Sequence, residues 1–129
     1  MKQETIEKVD ELKELVSKLD NQRADFWDED EDEYVWNGEE LEWYTFEIFT
    51  GSAWYYDDEV HVKSVYVEDD KLYFDAFWKA YTCGGNIHDD KIMNYLEPEF
   101  VVKRYCNESQ EKGFIETLEV LIELIKEII

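Results

Sequence analysis

Residues 60–78 read VHVKSVYV (Val60–Val67), EDD (Glu68–Asp70) and KLYFDAFW (Lys71–Trp78). Two runs rich in β-branched and aromatic residues flank three acidic ones, the pattern of a β-hairpin. In the second run Leu72, Phe74, Ala76 and Trp78 share one face, opposite Lys71, Tyr73, Asp75 and Phe77, so one face belongs to a core. An antiparallel sheet built outward from this hairpin is the expected centre of the fold.

Toward the N-terminus, Leu41 to Thr50 has strand composition, and Gly51-Ser52 is expected to break it. Trp54-Tyr55-Tyr56 is an aromatic cluster, and Asp57-Asp58-Glu59 reads as an acidic turn before Val60. Asn37-Gly38 is a strong turn signal between apolar pieces. From Gln3 to about Asn21, Val9, Leu12, Val16 and Leu19 recur at helical spacing, with Ile6 and Leu15 widening the stripe. Toward the C-terminus, Gly84-Gly85 marks a turn. Asp89 or Asp90 is placed to cap a short helix carrying Ile92, Met93, Tyr95 and Leu96 that stops before Pro98. Glu99 to Cys106 reads as a fourth strand, Phe100 and Val102 alternating against Val101, Lys103 and Tyr105. From Ser109 onward Phe114, Leu118, Leu121, Ile125 and Ile128 form a helical stripe wider than a half-circle, so that helix is either wrapped by the sheet or shared with a second copy. The expectation is one α+β domain over residues 1–129, with an antiparallel sheet of about four or five strands packed against N- and C-terminal helices.

The second feature is charge. Thirty-four acidic residues against thirteen Lys and Arg give a formal net charge of -21. That lies well beyond the magnitude of roughly 2–8 usual for a small domain, and self-repulsion at that level opposes folding. The charge is localised: Ala24 to Val62 holds fourteen carboxylates and no Lys or Arg, together with eleven of the twenty-one aromatic rings. An aromatic-rich acidic stretch argues for a folded negative surface rather than a disordered tail. Such a surface is repelled by nucleic acid and anionic membranes and attracted to the basic grooves of proteins that bind them. Neither a signal-peptide-length apolar run nor a membrane-span-length one is present, which points to the cytosol. There Cys83 and Cys106 read as reduced thiols rather than a bridge.

Candidate chemistry is sparse. His61, Cys83, His88 and Cys106 lack the paired spacing of a zinc site. Asp28, Asp30, Asp32 and Glu39 match positions one, three, five and twelve of a calcium loop, but Glu33 stands where that loop needs glycine. No nucleophile motif and no phosphate loop is present, so the chain reads as a non-enzyme with no cofactor. Paired acids such as Glu39 and Glu42 beside Trp36 and Trp43 are compatible with glycoside hydrolysis, yet any chain this acidic offers such pairs by accident.

What remains is the field itself. The expected partner-binding acids are Asp28, Glu29, Asp30, Glu31, Asp32 and Glu33, then Glu39, Glu40 and Glu42, then Asp57, Asp58 and Glu59, with Trp27, Trp36 and Tyr55 as aromatic anchors. B-DNA presents one phosphate per roughly 1.7 Å of axis. A mimic therefore needs these clusters aligned on one surface, since the first run spans only about 20 Å when extended. In size, charge and an acidic stretch laced with Trp and Tyr over residues 25–59, the chain resembles the small phage and mobile-element inhibitors that mimic nucleic acid, the anti-CRISPR and anti-restriction proteins. It is similar by the same criterion to bacterial immunity proteins that neutralise basic nuclease toxins. The resemblance implies a stoichiometric inhibitor of a basic protein, a nuclease or nucleic-acid-binding complex. Two other readings stay open: a carbohydrate- or peptide-binding module using the rings as a platform, and a structural homodimer seamed on the C-terminal helix, with charge serving solubility alone.

Overall fold

The computed structural model describes every residue except Glu29, Asp32, 37–38, 41–46, 53–55, 83–86 and Asn107, and along 39–40, 47–52, 56–59, 78–82, 87–91, 105 and 108–109 it describes the backbone. In chain order the elements are α1 (Gln3–Ser17), β1 (Arg23–Asp25), β2 (Trp27–Asp28), β3 (Glu33–Trp36), β4 (Glu39–Glu40), β5 (Glu47–Ser52), β6 (Tyr56–Glu68), β7 (Lys71–Thr82), β8 (Ile87–Leu96), α2 (Pro98–Tyr105) and α3 (Glu108–Ile128). This is the α+β arrangement expected, with the terminal helices against an antiparallel sheet.

The β6–β7 hairpin is the axis of that sheet. It runs from Glu68↔Lys71 to Tyr56↔Thr82, closed by Asp69 and Asp70, both at left-handed φ (51° and 61°). That is the backbone a two-residue hairpin turn requires, and Asp tolerates it better than most residues. β8 lies along the far side of β7. β1 and β5 lie end to end along the far side of β6, one against Ser64–Tyr66 and the other against Asp57–His61. A smaller antiparallel set, β2-β3-β4, follows β1. It is anchored where Phe26 N–H donates to Lys63 O at 2.8 Å and Val35 N–H donates to Phe26 O at 2.6 Å.

One face of the large sheet carries the core. Val60, Val62, Val65, Leu72, Phe74, Ala76 and Leu96 are buried with Leu12 and Val16 of α1 and Phe114, Leu118, Leu121, Ile122 and Ile125 of α3. Phe74 meets Phe114 edge to face at 6.0 Å. Fully burying each such side chain contributes about 1.5–3 kcal/mol. The wide apolar stripe of α3 is thus covered by α1 and the sheet of the same chain, so the seam required for the homodimer reading is occupied internally, while Ile128 and Ile129 stay exposed. α1 lacks a side-chain cap of its own. Glu111 of α3 replaces it, accepting from Lys2 N–H (2.8 Å) and the buried Thr5 hydroxyl (2.9 Å).

Four expectations are corrected. The stretch carrying Ile92, Met93, Tyr95 and Leu96 is strand β8, bonded to β7, not a helix. Glu99 to Cys106 is mostly helix α2, not a strand, because Pro98 occupies its first turn, where a fixed φ and a missing N–H favour starting a helix. Gly51-Ser52 continues β5, and Asp57-Asp58-Glu59 lies within β6, bonded on both sides, rather than forming a turn. The expected turns at Asn37-Gly38 and Gly84-Gly85, the 41–46 part of the expected strand, and Trp54-Tyr55 lie outside the described residues. Among the described residues no helix is long and apolar enough to cross a membrane.

Two β-bulges shape the sheet's outer face. On β6, Val62 pairs with Ala76 and Ser64 with Asp75, leaving Lys63 extra. On β8, Met93 pairs with Ala76 and Leu96 with Phe74, so Asn94 and Tyr95 together oppose Asp75. The first bulge shifts the alternation by one: Val65 joins Val60 and Val62 in the core, and Ser64 and Tyr66 move to the outer face.

Candidate functional site

Of the acidic run, Asp28 and Glu33 pair across a β2–β3 hairpin clamped onto that outer face, and Asp30 and Glu31 lie in its turn. Trp27 pairs with Tyr34. The half-buried Trp27 ring lies 4.8 Å from Tyr34 and 4.7 Å from Phe77, while His61 stacks on Phe77 at 5.1 Å and 15°. The Tyr34 hydroxyl and His61 Nδ1 are hydrogen-bonded at 3.0 Å. Four rings from four strands, two of the hairpin and two of the large sheet, therefore fix the hairpin. The turn is stabilised by one of its own acids, since Asp28 Oδ1 accepts from Asp30 N–H (2.9 Å) and Glu31 N–H (3.3 Å). Asp30 and Glu31 are exposed, Asp28 and Glu33 half-buried. Among the described residues neither Asp30 nor Glu31 forms an ion pair. Trp36 packs on the fully buried Phe26 at 5.3 Å, with its indole N–H buried and unbonded among the described residues. Of the expected anchors, Trp27 and Trp36 thus hold the hairpin to the body of the fold.

The other acids fall at register positions. Glu39 and Glu40 of β4 pair with Trp36 and Val35. Asp57, Asp58 and Glu59 sit mid-sheet, paired with Ser52, Gly51 and Thr50 on one side and Tyr81, Ala80 and Lys79 on the other. The His61↔Phe77 row that carries the hairpin is two residues along β6 from Glu59. Sequence reasoning missed two acids at this end of the sheet: Asp89 pairs with Ala80 and Asp90 with Lys79, adding carboxylates to the rows of Asp58 and Glu59. Their signal was hidden by the reading of Asp89 and Asp90 as helix caps. Glu29, Asp32, Glu42 and Tyr55 lie outside the described residues. Among the described residues, Lys8 pairs with Glu11 and Glu119, Lys13 with Asp70, Lys18 with Glu14, and Lys126 with Glu11 and Glu123.

A second constellation lies on the same face, beginning two residues along β7 from Phe77 toward the β6–β7 turn and between the two bulges. The Asp75 side chain is 8% exposed and accepts three hydrogen bonds: Tyr66 Oη–H (2.7 Å) and Tyr95 N–H (3.1 Å) at Oδ1, and Arg23 Nη2–H (2.7 Å) at Oδ2. Arg23 also donates to Asp25 Oδ1 (2.9 Å) and Ser64 Oγ (3.3 Å), and its guanidinium lies 4.8 Å from the Tyr66 ring centroid. Burial, then donation to Asp75 and the charge there, push the Tyr66 hydroxyl far above the ordinary tyrosine range. Tyr66, Tyr73 and Tyr95 complete a three-ring cluster with centroids 5.7–5.8 Å apart. No sequence spacing announces this group, because Tyr66 reaches Asp75 only through the β6 bulge and Tyr95 only through the β8 bulge. With both oxygens engaged, Asp75 is placed as a structural acceptor rather than a free base.

Among the described residues no group of three His, Cys, Asp or Glu side chains is placed to hold a metal ion. Cys106 is a free thiol pushed up to about 11 by burial and by the charge of Glu111, and Cys83 lies outside the described residues. No family model, curated protein or solved structure matches this chain.

Proposed function

We propose that the protein is a stoichiometric, non-catalytic inhibitor that offers its acidic sheet face to the basic nucleic-acid-binding site of another protein, a nuclease or nucleic-acid-binding complex of the anti-CRISPR, anti-restriction or nuclease-immunity type. The observation that supports it is the clamped hairpin: Trp27 on Phe77 and Tyr34 on His61 hold Asp30 and Glu31 outward in a fixed turn without an ion pair among the described residues. Unneutralised carboxylates held on a rigid support retain their field for a partner and lose little freedom on binding. The backbone positions of Glu59 and Asp90 share a row next to the His61–Phe77 row that carries the hairpin, while Asp58 and Asp89 share the alternate row. Charge of this kind speeds encounter and excludes wrong partners more than it adds affinity.

The test is capture from bacterial lysate on the immobilised protein at low salt, eluted with a salt gradient and read by mass spectrometry, in parallel with the D30N/E31Q variant. A basic nuclease or nucleic-acid-binding complex that elutes as salt rises, and at lower salt from the variant, is the expected result. Recovery of this chain alone, as a salt-insensitive dimer, would replace inhibition with the structural reading.

A further inference from the structure

We infer that the exposed corner of the Tyr66–Tyr73–Tyr95 cluster is a docking site for an arginine side chain of a basic partner; this rests on the inhibitor reading and adds a recognition element separate from the acidic hairpin. The cluster already holds one guanidinium within the chain. Arg23 lies over the Tyr66 ring at 4.8 Å with its Nη2 on Asp75 at 2.7 Å, the ring-face and carboxylate combination that a planar cation favours. Tyr95 repeats the ring half of that arrangement on the outside.

Tyr95 is 61% exposed, although its ring lies 5.7 Å from both Tyr66 and Tyr73 at 86° and 76°. Its φ of 57° is unusual for a bulky residue, and its N–H is fixed on the buried Asp75 carboxylate. The bulge therefore holds a large ring out in solvent, where burial does not reward it, in a position set by the buried Asp75 carboxylate. Strained, over-determined backbone of this kind belongs to binding sites more often than to filler.

Charge selects the occupant. Arg23 leaves the Asp25–Asp75 pair one negative charge in excess. Exposed Glu68 stands two residues beyond Tyr66 on β6, the same-face interval of a strand, and Lys71 is engaged by Glu97 at 3.8 Å. An anionic visitor meets net negative charge here, whereas a guanidinium gains the exposed Tyr95 ring face within the field of Glu68 and the Asp25–Asp75 pair.

The probe is an acetylated, amidated peptide of alternating glycine and arginine, followed by NMR titration at low salt, with the lysine counterpart as control. The expected result is perturbation of Tyr73 and Tyr95 ring resonances, weaker binding of the lysine peptide, an affinity loss of roughly fivefold in Tyr95→Ala and retention in Tyr95→Phe. Both variants keep the backbone N–H that bonds Asp75, so the fold is preserved. If shifts fall only on the Asp28–Glu33 hairpin and Tyr95→Ala binds like the parent, the docking site is overturned while the acidic surface stands. If the peptide binds nowhere, the docking site is overturned and the inhibitor reading loses its electrostatic basis with it.

Discussion

Asp75 serves three donors with two oxygens, and its removal affects each of them differently. The Arg23 side chain is 46% exposed and can rehydrate, but Tyr66 is buried and its hydroxyl would be stranded. Leaving a buried donor without an acceptor costs about 1–3 kcal/mol, so Asp75→Ala is expected to destabilise by about 2–3 kcal/mol, measured by urea denaturation. Asp75→Asn, which keeps an acceptor oxygen, should lose less. The same contact gives a pH dependence. Tyr66 has a raised pKa in the folded state, so its contribution is complete below the unfolded value of about 10 and is lost progressively as pH rises from there toward the higher folded value. Thermal melts between pH 8 and 11.5 should show an alkaline decline that is shallower in Tyr66→Phe. Cys106 is raised as well, but it is present in both proteins, so the difference between them isolates Tyr66. In the helix layer Glu111 works in the opposite direction. Its burial is outweighed by bonds from Lys2 N–H and the Thr5 hydroxyl and by the N-terminal charge, so its carboxyl sits below the usual range. The stability it contributes is present above the unfolded value near 4.5 and fades as pH falls through the folded value.

Elements differ in how openly the sequence declares them. α1, α3 and the β6–β7 hairpin each repeat an apolar period over many residues, and each lies where the pattern places it. The sequence pattern exchanges β8 and α2 because Pro98 reads as a stop for what precedes it, when the first turn of a helix accepts it equally well. The bulges are invisible for a different reason: an extra residue in a strand leaves no compositional trace and appears only once pairing fixes the register, so composition marks the acidic run by its charge but marks neither the β2–β3 pairing beneath it nor the Asp75 group. The Asp57–Glu59 acids were misread as a turn since three consecutive carboxylates are rare inside a strand. α3 also carries a correctable weakness. Gly113 lies in its first turns, exposed, and an added Cβ would meet nothing within 4 Å. Gly113→Ala should therefore raise stability by about 0.5–1 kcal/mol through helix propensity alone, read as a higher denaturation midpoint at unchanged m-value.

At the scale of the whole molecule, a formal charge of -21 acts on the folded chain within a radius of gyration of about 14 Å, against about 37 Å unfolded. Compaction brings the acids together, so repulsion weighs mostly on the native state. At about 10 mM salt the screening length is about 30 Å, longer than that radius, and every carboxylate senses the others; at about 150 mM it is about 8 Å, and only neighbours remain coupled. The attractive side is weak in comparison. The helix pairs Lys8–Glu11 and Lys18–Glu14 have partly to largely exposed side chains, and pairs of that kind contribute between nothing and about 1 kcal/mol each. Added sodium chloride is accordingly expected to raise the melting temperature, by about 3 °C or more between those two concentrations, and a fall would mean that ion pairs outweigh net repulsion. Partner binding through the acidic face should respond with the opposite sign, weakening as salt rises. A complex that dissociates over the same range in which the free protein becomes more stable is therefore losing its electrostatic contact, not its fold.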